Sequence, residues 1–143
     1  MNIRDYKQVF LCGNGGSAAN ATHIANDLIS VGVRAHSLTA DVATLTAIAN
    51  DYGYGEVFRR QLLVLADAGD LLVCLSGSGN SLNIVEAAHT GRAIGMHVIG
   101  IFGAFKYGKA SQYCNEFENV GLNMQAAEEY QLVWGHQFLK GTS

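Results

Sequence analysis

The stretch VFLCGNGGSAANATHIANDL, residues 9–28, decides the fold. An apolar run ends in a glycine-rich turn, and the turn enters a segment that carries His23 and Asp27 four positions apart. Strand, tight turn and helix in that order are the first half of a βαβ crossover. Such a crossover leaves the free N–H groups of the helix start beyond the carboxyl end of the strand, where an anion is bound readily.

Outward from this stretch the same alternation repeats. Short β-branched or aromatic runs predict strands at 8–12, 35–38, 70–75, 97–102 and 117–120. Longer periodic segments predict helices at 17–31, 41–49, 55–67, 81–94 and 124–140, with Asp41 and Ser81 as N-caps. The pattern is that of an α/β protein: a three-layer, doubly wound five-stranded parallel sheet with helices on both faces. At 143 residues, with no linker and no low-complexity tract, the chain reads as one domain, 1–143.

Composition narrows the function. Net charge is −3 and the nine Lys and Arg are scattered, so no basic stripe is available to a nucleic-acid backbone. No apolar run approaches the roughly 20 residues of a bilayer span, and the polar start MNIRDYKQ lacks an apolar signal segment. Cys12, Cys74 and Cys114 have no metal-ligand spacing, and the first two lie in apolar runs. They read as buried thiols of a reducing compartment, and the expected location is the cytoplasm. With 49% hydrophobic and 15% charged residues, some apolar surface is expected to meet other subunits, giving a homo-oligomer.

Two glycine-rich turns fall at strand-to-helix crossings. In the first, Gly13, Gly15 and Gly16 let the backbone approach an anion, with Asn14 beside them and Ser17 adding a hydroxyl at the helix start. The second, Ser76-Gly77-Ser78-Gly79-Asn80-Ser81, sets three hydroxyls around another helix start and contains no cation. Neutral donors and a helix dipole suit the phosphate monoester of a small molecule. The first turn also fits G-x-G-x-x-A, but the acidic residue of a dinucleotide site is missing from the end of the second strand, where HSLT stands. Arg34 and Lys106 are the cations that could touch a phosphate, although no spacing requires it.

His23 and Asp27 share a helix face at a spacing that serves metal ligation and acid–base chemistry alike. The last helix adds Glu128, Glu129 and His136. Eight residues separate Glu128 from His136, about 12 Å of helix rise, so spacing alone leaves open whether both reach one centre. His36, His89 and His97 have no nearby ligand partners in sequence and read as structural or solvated. Tyr130, Trp134 and Phe138 read as packing residues.

The sequence resembles the SIS (sugar isomerase) family, and within it the phosphoheptose isomerase branch. The resemblance is carried by CGNGGSAANATHIANDL, LTAIANDYGYGEVF, DLLVCLSGSGNSLNIVEA and AAEEYQLVWGH, and covers essentially residues 8 to 140. It implies a flavodoxin-like sheet, a tetramer with sites near subunit boundaries, and conversion of sedoheptulose 7-phosphate to D-glycero-D-manno-heptose 7-phosphate, commonly with zinc. The small phosphosugar is then the partner, with no direct nucleic acid and no membrane.

Matched position by position, the resemblance implies a metal site at His23, Asp27, Glu128 and His136, with His136 and Asp27 catalytic. It implies substrate or phosphate contacts at Asn14, Gly15, Ser17, Asn50, Asp51, Ser76, Ser78, Ser81 and Glu128. Asp27 stands where the family usually has glutamate, Glu128 where it has glutamine, and Gly77 where it has threonine. The family usually places a helical region before the first strand; here only a handful of residues precede it. SAANA and LTAIAND are also similar to a non-enzymatic branch that binds the bacterial replication initiator, so a phosphosugar-binding or regulatory protein is the alternative. His136, which that branch lacks, favours catalysis.

Overall fold

The computed structural model describes residues 2–103, 108–120 and 123–141. Five parallel strands, β1 (Val9–Cys12), β2 (Ala35–Ser37), β3 (Leu71–Ser76), β4 (His97–Phe102) and β5 (Glu116–Asn119), run in the order β2-β1-β3-β4-β5. This is the flavodoxin-like order, in which the chain reverses its direction of growth between β1 and β3. The helices are α1 (Gly16–Ser30), α2 (Val42–Tyr52), α3 (Arg59–Leu65), α4 (Leu82–Ile94) and α5 (Met124–Lys140).

Every residue of β1 and of β3 is buried, as a strand covered on both faces requires. Side chains alternate between two cores. Val9, Leu11, Leu71, Val73 and Leu75 meet Ile24 and Leu28 of α1, and Tyr130, Trp134 and Phe138 of α5 pack against that layer. Phe10, Cys12, Leu72 and Cys74 face the other way, onto Phe58, Leu62, Ile84 and Ala88. Each fully buried Leu here stabilises the fold by about 1.5–3 kcal/mol, so the central pair β1–β3 is the rigid base of whatever its loops carry. At the outer edge, Glu116 and Glu118 of β5 are exposed, and charge there discourages edge-to-edge pairing.

The predicted elements hold, with shifts at their ends. The segment expected as one helix over 55–67 is broken into a 3-10 turn (Tyr54–Glu56) and the shorter α3. Val57 and Phe58 are fully buried at the break, and core insertion there outweighs helical continuity. α2 runs three residues past its expected end and stops at Gly53, whose φ of 100° terminates it. Asp41 caps α2 through Ala43 N–H as expected. Ser81 holds the N-cap position of α4, yet its hydroxyl makes no capping bond.

Cys12 and Cys74 are partners in the β1–β3 register, with sulfurs 3.8 Å apart, and no disulfide is formed. The hydrogen bond with Cys12 and complete burial push the Cys74 thiol well up, which keeps it protonated and inert. Burial likewise raises the partly covered Cys114. Among the described residues no helix is long and apolar enough to cross a membrane.

Candidate active site

Both glycine-rich turns lie at the carboxyl ends of β1 and β3, the two strands that flank the reversal in strand order. Gly15 makes the first turn possible: its φ of 56° with ψ of −121° is a conformation that a side chain disfavours, and α1 starts immediately after it. Asn14, Ser17, Ser76, Gly77, Ser78, Ser81 and Met124 line a cavity of about 70 Å³ between the turns. That is well below the roughly 300 Å³ at which pockets for whole ligands begin, so it suits one small group.

Among the described residues the lining contains no cation. The N-cap residues Gly15 and Ser81 make no side-chain capping bond, and the start of α4 keeps backbone donors for an incoming anion. The turn itself is held from within. Ser76 Oγ accepts from Gly79 N–H at 2.9 Å, and Ser78 Oγ accepts from Asn80 N–H at 3.1 Å. Asn14 and Asn83 exchange side-chain amide hydrogen bonds of 2.8 and 2.9 Å across the gap between β1 and β3.

A second constellation lies further along α1. Asp27 Oδ2 is 3.3 Å from His23 Nε2, on the same helix, and 3.7 Å from His136 Nε2, on α5. One ligand atom from each residue lies within 4.8 Å of the others, and the imidazoles are more than half exposed, at 52% and 55%. Two imidazoles and a carboxylate are a donor set suited to a borderline dication that keeps one position open for substrate. These residues fit the metal that the family resemblance implies.

What brings the two helices so close is small-residue packing backed by a buried polar link. A Cβ on Gly135, the residue before His136, would lie 2.5 Å from Ile24, the residue after His23, so α5 could not keep its present approach to α1 with a larger residue there. Gln131, buried, donates to Ser17 Oγ at 3.1 Å and accepts from Asn20 at 2.9 Å; Asn20 also donates to the Glu128 carbonyl at 2.8 Å. The same network therefore fixes a serine of the small cavity and the helix that delivers His136.

Glu128 stands apart from the expected metal set. It is absent from the cluster of His23, Asp27 and His136, and its carboxylate lies against Gly16 at the start of α1. There it meets the positive end of a helix whose first turn has no acidic residue of its own. Asn50 and Asp51 are exposed on the last turn of α2, hydrogen-bonded to each other, and do not line the small cavity. Arg34 precedes β2 and so lies at the opposite end of the sheet from both turns. Lys106 lies outside the described residues.

His97, expected to lack a partner, has one: its Nε2 is 2.6 Å from Glu116 on the neighbouring strand. His36 stacks on Phe10 and His89 on Tyr113, in structural roles. Asn83, Gln131, Met124 and Tyr54, whose hydroxyl donates to Asn14 Oδ1 at 3.0 Å, are site residues that sequence reasoning missed. A readable signal existed for one end of the network: Ser17 and Asn20 put polar atoms three residues apart on the buried stripe of α1.

Comparison with known proteins identifies the family. The signature of the SIS domain matches residues 1–103. A phosphoheptose isomerase from Campylobacter concisus is 45% identical over 142 residues, covering 95% of this chain and 72% of that protein. The chain belongs to the phosphoheptose isomerase branch of the SIS domain family. The phosphoheptose isomerase of Aliarcobacter butzleri is 43% identical over 119 residues, and there the match spans 62% of the relative's length. Among solved structures, the phosphoheptose isomerase of Neisseria gonorrhoeae superimposes with a TM-score of 0.90 at 37% identity, covering 96% of this chain and 76% of that one. These SIS relatives share the α/β architecture and place this chain among sugar-phosphate isomerases by descent.

Proposed function

We propose that this protein is an aldose–ketose isomerase that converts sedoheptulose 7-phosphate to D-glycero-D-manno-heptose 7-phosphate. The observation that carries the reading is the convergence of His23, Asp27 and His136 on α1 and α5, the two helices whose first turns also bring Ser17 and Met124 to the serine-lined cavity between the glycine-rich turns. The 40–45% identity to phosphoheptose isomerases supports the choice of substrate.

In this reading Ser76, Ser78, Ser81, Ser17, Asn14 and the backbone at Gly15 take the phosphate. Binding energy from that remote group positions the reacting carbons. The ketose loses a proton from its terminal carbon to give an enediolate, the hydroxyl proton passes from the terminal oxygen to the former carbonyl oxygen, and the former carbonyl carbon gains a proton to give the aldose. His136 and Asp27 take the two proton-transfer roles, with Glu128, Asn50 and Asp51 assigned to substrate contacts. His23, Asp27 and His136 would hold a dication such as Zn²⁺, which would polarise the oxygens of the substrate when bound. A nitrogen lone pair given to a metal accepts no proton, so chelation separates the two uses of His136.

Homo-oligomerisation, as a dimer or tetramer, is part of the same proposal. No residue of α2 is buried, although the helix is largely apolar. Val42 on α2 and Leu63 and Val64 on α3 are 69%, 53% and 83% exposed, beside a groove of about 930 Å³ that holds none of the site residues. α2 packs Leu45, Ile48 and Ala49 partly against the core, and the apolar side chains it leaves exposed gain stability by packing against another surface. The three free cysteines support a reducing cytoplasm.

The deciding experiment is an isomerase assay on sedoheptulose 7-phosphate with and without chelator, on the native chain and on His136→Ala. Turnover by the native chain and its loss in the variant are expected. Binding without turnover by the native chain makes it a phosphosugar-binding protein instead.

A further inference from the structure

We propose that Tyr54 is a positioning residue of the phosphate site, acting through the amide of Asn14. The inference rests on the reading of the serine-lined cavity as the seat of the phosphate. Asn14 lines that cavity, and its side chain is held from two sides. Asn83, buried on the first turn of α4, donates to Asn14 Oδ1 at 2.8 Å and accepts from Asn14 Nδ2 at 2.9 Å. Tyr54 reaches across from the turn after α2 and donates its hydroxyl to the same Oδ1 at 3.0 Å.

The count of hydrogen-bonding atoms gives the consequence. A carbonyl oxygen has two lone pairs, and both of those on Asn14 Oδ1 are engaged. The amide nitrogen carries two hydrogens, of which one goes to Asn83. The other has no acceptor among the described residues and is left for a ligand in the cavity. Pinning the oxygen with two donors fixes the plane of the amide, so the remaining N–H is oriented before the anion arrives. Donors oriented in advance bind more tightly because less freedom is lost on binding.

Tyr54 is itself half exposed and does not line the cavity, so its hydroxyl acts on the anion only through Asn14. Its place in the chain adds a link. The turn that carries Tyr54 follows directly on α2, which bears Asn50 and Asp51. The Tyr54 hydroxyl is therefore the strut that ties this peripheral segment to the loop around the phosphate.

The test measures binding of inorganic phosphate and of sedoheptulose 7-phosphate to the intact chain by calorimetry, beside steady-state kinetics. In Tyr54→Phe, removal of one neutral hydrogen bond is expected to weaken both ligands by about three- to tenfold. KM rises by the same factor, kcat changes by less than about twofold, and the thermal midpoint falls by no more than the few degrees that one hydrogen bond explains. On an Asn14→Ala background, Tyr54→Phe adds nothing further. Asn83→Ala, which removes the other donor to the same oxygen, weakens phosphate as well. Unchanged phosphate affinity in Tyr54→Phe overturns the proposal, as does a loss that adds in full to that of Asn14→Ala. Absence of turnover, with the phosphate effect of Tyr54→Phe intact, removes the isomerase reading and leaves the positioning role standing.

Discussion

His23 on α1 and His136 on α5 meet edge to face, with ring centroids 5.7 Å apart and planes at 68°, and Asp27 places one carboxylate oxygen within 4 Å of both. Neither imidazole is buried, so the fold can lose either ring without opening a core cavity. His23→Ala should therefore fold normally, shown by unchanged circular dichroism, while metal retained after purification and measured by elemental analysis falls to background.

Asp27 is the hinge of this arrangement because it addresses both rings. Asp27→Asn preserves shape and removes charge, and should lower kcat by roughly a hundredfold or more, the scale of a lost acid–base group. Asp27→Glu keeps a carboxylate, one methylene longer, and should keep measurable activity. Equal loss in the two variants, in the same assay, counts against a role for the charge.

The approach of α5 to α1 depends on Gly135. Adding one methyl group there drives it into Ile24, and overpacking of a close helix contact costs about 1–3 kcal/mol. Gly135→Ala should lower stability in urea by that order and weaken metal retention as well, since His136 is the next residue. Stability lost with metal affinity unchanged separates packing from positioning.

Gln131 is buried and links Ser17 with Asn20. Gln131→Leu leaves the hydroxyl and amide on α1 without that partner, at a cost of about 1–3 kcal/mol for the unpaired buried groups. Chemical denaturation should show this loss with an unchanged m-value.

Asp41 gives a pH signature. Its carboxyl is held below the ordinary value, first by the Thr44 hydroxyl and then by backbone N–H groups at the start of α2. A depressed pKa in the folded chain means that the cap contributes above the unfolded value of 3.8 and is lost as pH falls through the folded one. The stability gap between the native chain and Asp41→Ala should be constant above about pH 5 and shrink progressively as pH falls below it, measured by thermal unfolding at each pH.

Much of this protein was legible before any coordinates. Local order settles it: an apolar run, a glycine turn and a helical period dictate a βαβ unit wherever they occur, and His23 and Asp27 meet because a helix returns to the same face every four residues. The two serine- and glycine-rich turns had to fall at the carboxyl end of a parallel sheet for the same reason. What tertiary structure alone decided are the meetings of residues far apart in the chain. It brought His136 to Asp27, Gln131 to Ser17 and Tyr54 to Asn14, and it turned Glu128 aside onto the start of α1. A spacing of eight along α5 could not distinguish His136 from Glu128 as partners of α1. The difference arises from how closely α5 packs on α1, and that depends on side-chain volumes at the contact, such as the bare Cα of Gly135 against Ile24.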